Sequence, residues 1–313
     1  MYTLFRKELS DHLDSLRFII IFAMALLLAA VSLYGSLGGI QGAVSSSDGS
    51  SFVFLRLFVV SSGSIPAFAS FIALIGPLIG LILGFDAINT EKNAGTLNRL
   101  LAQPIHRDDV INGKFLAGVV VVSIIVISMI LLVAGVGLLR IGVPPSGEEV
   151  MRLIVFAVFS IVYMSFWLGL AILLSVVSRH AATSALSVVA IWLIFAFFMS
   201  MIAAGLAGAL FPAAAYDVTA MENYLSFQQE FSRISPSVLF SEAIQTILDP
   251  TTRTLGITSI DQYSQLSVGV VGVLPLGQSL LLVWPHLVGI IAEMVASFVI
   301  AYIVFMKQEI RGA

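Results

Sequence analysis

Six stretches of this chain contain no Asp, Glu, Lys or Arg: residues 18–47, 57–85, 115–139, 153–178, 181–216 and 262–292. Each can cross a hydrocarbon core of about 30 Å, which takes about 20 apolar residues in helical form. Inside lipid every backbone N–H and C=O must be satisfied within the protein, so segments of this length fold as helices. The spacing predicts six spans, near 18–40, 66–88, 110–139, 152–178, 182–210 and 276–306, the last running through Glu293. The run 181–216 holds one span, because two spans and a turn need more residues. The expected fold class is an all-α polytopic membrane protein.

Composition agrees. The chain has 313 residues, 59% hydrophobic and 11% charged, against roughly a quarter charged in soluble domains. A net charge of −3 leaves no basic stripe to neutralise phosphates, which excludes a nucleic-acid partner. The lack of cysteine removes disulfides, thiolate metal sites and Cys nucleophiles together. There is no GxxxxGK[ST] phosphate loop, no HExxH and no nucleophile elbow. His12, His106, His180 and His286 offer no two imidazoles at metal-ligand spacing on one helix. No catalytic, cofactor-binding or metal-binding residue is therefore expected, and the chain is expected not to be an enzyme.

Lys and Arg set the orientation. With the N-terminus inside, Arg6, Lys7, Arg17, Lys92, Arg99, Arg107, Lys114, Arg179, Lys307 and Arg311 face the cytoplasm. Arg56, Arg140, Arg152, Arg233 and Arg253 then lie outside, and this asymmetry puts both termini in the cytoplasm. The first apolar run reads as a retained span, since a long amphipathic segment precedes it. In residues 1–17, Phe5, Leu9, Leu13 and Leu16 recur at helical spacing, with Arg6, Lys7, Glu8, Asp11 and Asp14 largely elsewhere on the wheel. Such a helix is expected to lie in the interface, its apolar stripe on acyl chains.

Residues 18–313 then form one transmembrane domain with two extracytoplasmic inserts, 41–65 and 212–275. The first begins Ser/Gly-rich and turns apolar at 52–60. In the second, Tyr224, Phe227, Phe231 and Ile234 keep helical spacing, and Ser235–Pro236 supplies an N-cap and first-turn proline for another helix. That helix is expected to bury Leu239, Ala243, Ile244, Ile247 and Leu248 and to stop at Asp249–Pro250. Residues 217–261 carry six acidic and two basic side chains, read as a solvated surface.

Ionisable groups within spans are costly. Glu293 is the clear one, with His286 seven residues earlier on roughly the same face. They form either a polar pathway or an internal packing pair. Gly76, Gly80 and Gly84 make a small-xxx-small row that lets a helix approach closely, from this chain or from another copy.

Between the second and third spans lies EKNAGTLNRLLAQPIHR, residues 91–107, too polar to cross a bilayer. Leu97, Leu100 and Leu101 give one apolar face, and Pro104 stops the helix. Gly95 is expected inside that helix, where it costs about 1 kcal/mol relative to Ala. Asp108 or Asp109 can cap the third span. A short helix parallel to the membrane suits a groove on a cytoplasmic partner, or a connector tucked under the spans.

Glu91, Gly95-Thr96-Leu97, Leu100-Leu101, Pro104, Arg107 and Gly113-Lys114 resemble the pattern of ABC-2 type permeases, the membrane subunits of certain ABC transporters. The sodium-efflux and nitrous-oxide-reductase-maturation permeases are among those it resembles. Lys7-Glu8, the order of six spans and the ending FMKQEI at 305–310 extend the resemblance over nearly the whole chain. It implies that 91–102 is a coupling helix docking on a separate ATPase, assisted by the loop at Arg179-His180. It also implies a second permease chain, most simply a homodimer, Mg-ATP bound by the partner ATPase, and a prokaryotic plasma membrane. ATP-driven export is the function implied. The alternatives are a secondary carrier driven by an ion gradient, and a non-transporting membrane protein whose external cap binds a ligand.

Overall fold

The computed structural model describes residues 2–44, 52–61, 65–95, 106–212, 217–252 and 273–308. It contains six helices long and apolar enough to cross a membrane: Leu16–Gly38, Phe68–Asn93, Arg107–Ile141, Gly147–Val177, Ala181–Leu210 and Leu276–Lys307. All six expected spans are present, with ends shifted by a few residues. The third begins at Arg107 rather than near 110, and neither Asp108 nor Asp109 caps it. The N-cap is His106, without a side-chain cap, and both aspartates sit in the first turn, where their charge complements the helix dipole.

In chain order the elements are α1 (Tyr2–Leu13), α2 (Leu16–Val44), α3 (Arg56–Val59), α4 (Phe68–Gly84), α5 (Asn89–Asn93), α6 (Arg107–Ile141) and α7 (Gly147–Val177). They continue with α8 (Ala181–Leu193), a π-helical turn (Ile194–Phe198), α9 (Met199–Leu210), α10 (Val218–Ser232), α11 (Pro236–Leu248) and α12 (Leu276–Lys307). Two ends of the bundle can be told apart. One carries α1 and the end of α12, and is called the terminal end. The other carries the α10–α11 pair, and is called the hairpin end.

α7 is the hub. It packs most extensively on α12 and α4 and also touches α6, α11 and α8. Small residues explain the α4 contact. A Cβ on Gly80 would stand 2.7 Å from the Met164 carbonyl oxygen, and one on Gly84 would stand 2.8 Å from the Ala171 Cβ. The glycine row is thus spent on packing within the chain. Trp167, Tyr163, Phe156 and Phe159 fill the middle of α7.

The apolar half of the first insert turns back into the bundle instead of capping it. Phe54, Leu55, Leu57 and Phe58 are buried, and the Phe58, Phe68 and Phe156 rings meet edge-on at 5.5–6.2 Å. The second insert also dips inward. α11 packs on α12, α7 and α4, burying Leu239, Ala243, Ile244, Ile247 and Leu248 as expected and ending at Leu248. Ser235 is its N-cap residue but makes no capping bond. Its hydroxyl donates to the Phe195 carbonyl at 2.9 Å, inside the π-helical turn of the fifth span.

Candidate functional site

At the terminal end the polar connection after the second span is bound to four other elements. Where α4 ends, the Ile88 and Asn89 N–H groups both donate to the Ser175 hydroxyl of α7, at 3.0 and 3.2 Å. A buried side chain thereby satisfies two backbone donors at the start of α5, where helical partners are lacking. One turn on, Lys114 of α6 reaches Glu91 Oε1 at 2.7 Å and Glu8 Oε2 of α1 at 2.9 Å. The Lys114 side chain is 7% exposed and that of Glu8 is 8%. Two carboxylates, one buried and one half-buried, share one buried ammonium, and that ammonium depends on them because an uncompensated buried charge is expensive.

Glu8 is a correction. The helical wheel set it among the solvated charges of α1; in the structure it is buried, and α1 lies along the first turns of α6 beside Gly113. Leu16, counted with the α1 stripe, is the exposed first residue of α2. The break between the helices is made by Ser15, whose hydroxyl donates to the His12 carbonyl and accepts from Phe18 N–H. Burial holds the His12 imidazole below its ordinary range, the nearby Lys114 ammonium adding to this while Glu8 opposes it.

Three further ties close this end. Asn93 donates to the Arg179 carbonyl at 3.0 Å, joining α5 to the short loop between the fourth and fifth spans. Arg107 donates to the Gln308 carbonyl at 2.9 Å and lies over the Phe305 ring, while Gln308 Nε2 donates to Val176 O at 2.8 Å. Arg17 pairs with Asp86 and covers Phe85. Of the residues assigned to docking, Glu91, Gly95, Arg107 and Arg179 therefore gather at one end. Thr96, Leu97, Leu100, Leu101 and Pro104 lie outside the described residues.

Gly95 departs from the expectation of a helix interior. It has φ +69° just beyond α5, its N–H bonded to the Lys92 carbonyl, and among the described residues a Cβ there would meet nothing within 4 Å. Its role is a left-handed turn after the helix, which L side chains enter at a cost.

The hairpin end holds a second polar cluster that sequence reasoning missed. Arg152 is wholly buried. It donates to Ile247 O at 2.8 Å, Leu274 O at 2.6 Å and Ser279 Oγ at 3.3 Å, and pairs with Glu148 at 2.9 Å. Glu148 also accepts from Leu276 N–H, and Glu149 Oε1 accepts from Phe54 N–H. Ser146 and Glu149 form a reciprocal capping box, a signal visible in Ser146-Gly147-Glu148-Glu149.

His286 and Glu293 are not brought together. His286 Nε2 is 2.8 Å from Glu242 of α11, and Glu293 Oε2 has no hydrogen-bond partner among the described residues. Glu242 also receives Arg233 at 2.9 Å and Gln229 at 3.2 Å. Burial opposes its ionisation, but the bonds from His286, Arg233 and Gln229 outweigh this and hold the carboxyl below its ordinary range. This acid belongs to a half-buried network rather than to a solvated surface. Among the described residues no group of three or more His, Asp or Glu could hold a metal ion.

The arrangement is that of a polytopic membrane protein whose polar inter-span connection is tied at its described start to the neighbouring helices. The sequence profile described as ABC-2 family transporter protein matches residues 2–310, and the chain belongs to that family of membrane permeases. Its sequence is also similar to a protein of Stutzerimonas stutzeri described as "Probable ABC transporter permease protein NosY". The two are 31% identical over 127 residues, which is 41% of this chain and 41% of that relative.

Proposed function

We propose that this chain is the membrane subunit of an ATP-driven exporter in a prokaryotic plasma membrane. Two copies assemble with two separate ATP-binding subunits, and Mg-ATP is bound by those partners. The terminal end faces the cytoplasm, as the Lys and Arg asymmetry requires. The segment beginning at Glu91 is the lever on which the ATPase acts.

The observation that carries this reading is the shared ion knot of Glu8, Lys114 and Glu91. A loop that only linked two spans would need no buried ion pair at its root. Here any push on the connection is delivered to α6 through Lys114, to α7 through Ser175, and to the next loop through Asn93. Rigid elements joined by such networks can carry coupling between distant sites.

The test is co-expression of the tagged chain with a candidate ATP-binding subunit, followed by purification, ATPase assay and transport in vesicles. Leu97→Asp and Leu101→Asp are expected to abolish co-purification or to separate hydrolysis from transport. Unchanged binding and transport in both variants would overturn the docking assignment. Transport that persists after ATP depletion would overturn the ATP-driven reading in favour of a gradient-driven carrier, for which Glu293 would be the first residue to change.

A further inference from the structure

A cavity of about 480 Å³ opens at the hairpin end between α4, the π-helical turn and α11. Its polar lining is Ser70 from α4 and Ser237, Ser241 and Gln245 from α11; Leu74 and Ala196 are among its apolar walls. Among the described residues no ionisable side chain lines it. The volume falls within the range of roughly 300–1,000 Å³ typical of small-molecule sites.

The hydrogen-bonding capacity of this wall can be counted. Tyr163 has one proton, given to the Ala73 carbonyl at 2.9 Å. The 3.0 Å bond between Tyr163 and Ser237 is therefore donated by Ser237. Ser241 gives its proton to the Ser237 carbonyl at 2.8 Å. Both hydroxyl oxygens keep lone pairs to accept from a ligand, while the exposed Gln245 amide offers both donor and acceptor.

Hydrogen bonds can thus be made in both directions, but the described walls supply no counter-charge. An ion leaving water for such a place loses hydration that nothing restores. The frame is also fixed: Ser235, just before α11, is bound to Phe195, the neighbour of the wall residue Ala196, and Glu242 ties α11 to His286. π-helical turns are rare and recur at functional sites.

We propose that this cavity binds an uncharged organic molecule with hydroxyl or carbonyl groups and an apolar part, and that such molecules are the substrate class. The second half rests on reading the chain as a permease; the binding site itself does not.

The chain has no cysteine, so Ser241→Cys and Ser70→Cys each place one thiol in the cavity, from different helices. In nanodiscs, the rate of modification by methyl methanethiosulfonate is measured with phenyl β-glucoside or with its anionic counterpart, phenyl β-glucuronide. Leu139→Cys, at an exposed position of α6, serves as the control. The glucoside should slow modification roughly tenfold at about ten times its dissociation constant, by mass action, and the glucuronide should leave the rate unchanged. Protection by neither compound, equal protection by both, or equal protection of the control would overturn the proposal. The measurement needs neither nucleotide nor ATPase. A failure here leaves the coupling test untouched, and a failure of that test leaves protection standing.

Discussion

Lys114 of α6 holds Glu91 of α5 at 2.7 Å, so the base of the third span grips the connection that leaves the second. Glu8 completes the pair from α1 at 2.9 Å. Replacing Lys114 by Met takes the shared ammonium from two carboxylates, leaves the deeply buried Glu8 with Lys7 at 3.5 Å, and should destabilise the fold by up to about 3–5 kcal/mol. Thermal melting in nanodiscs checks this. A double-mutant cycle with Glu8→Gln isolates the pair: the second change should cost much less once Lys114 is gone. Strict additivity would remove the knot from the account.

Gly95 tests backbone conformation, since among the described residues nothing lies within 4 Å of its missing Cβ. Gly95→Ala should cost about 1–2 kcal/mol for the left-handed conformation. Gly95→Asn should cost less, because Asn tolerates that region. The readout is ATPase activity stimulated by the permease, expected to fall in the order Gly, Asn, Ala.

Two glycines separate close packing from helix propensity. Gly80→Ala drives a methyl to 2.7 Å from a backbone oxygen of α7, and should cost about 1–3 kcal/mol as α4 and α7 part. Gly135, in α6, has nothing within 4 Å of its Cβ position. Gly135→Ala should be neutral or stabilising by up to about 1 kcal/mol. Melting of the two variants side by side decides it.

Acid should loosen the terminal end. The folded His12 has a pKa below its ordinary value of 6.5, so the unfolded chain binds more protons in that window and stability rises with pH. The contribution is complete above 6.5 and is lost as pH falls below it through the folded pKa. Glu242, also depressed, works lower: its contribution is complete above 4.5 and fades beneath that. Melting should therefore weaken between about pH 7.5 and about pH 5.5, and His12→Gln should shrink that difference. An undiminished difference in the variant would assign the acid sensitivity elsewhere.

The spans were legible because lipid forbids charge and demands internal hydrogen bonding, a constraint written along the chain. The limits of α11 were legible for a local reason too, in Ser235–Pro236 and Asp249–Pro250. What was not legible is long-range pairing. Glu8 reads as one more surface charge because Lys114 is 106 residues away. His286 shares a helix face with Glu293, yet meets Glu242 from another element. Ser235 has the right identity for a cap, but its hydroxyl makes no capping bond and turns to the Phe195 carbonyl. In the candidate site, sequence placed Glu91 and Arg107 in the connection after the second span and Arg179 in a separate loop; the hydroxyl of Ser175 that receives the connection carried no signal of its own.

Arg152 bears on how the chain is made. Its partners Ile247, Leu274 and Ser279 lie 95, 122 and 127 residues downstream. At about 5–20 residues per second, a ribosome needs roughly 6–25 s to travel from Arg152 to Ser279. Until Ile247 is made, Glu148 and the Phe52 ring are the partners already synthesised, among the described residues, for this guanidinium. A chain that stalls before its sixth span has entered the bilayer therefore keeps a cation exposed at the head of the fourth. The finished protein hides that cation completely, so the same arginine marks the difference between nascent and mature molecules.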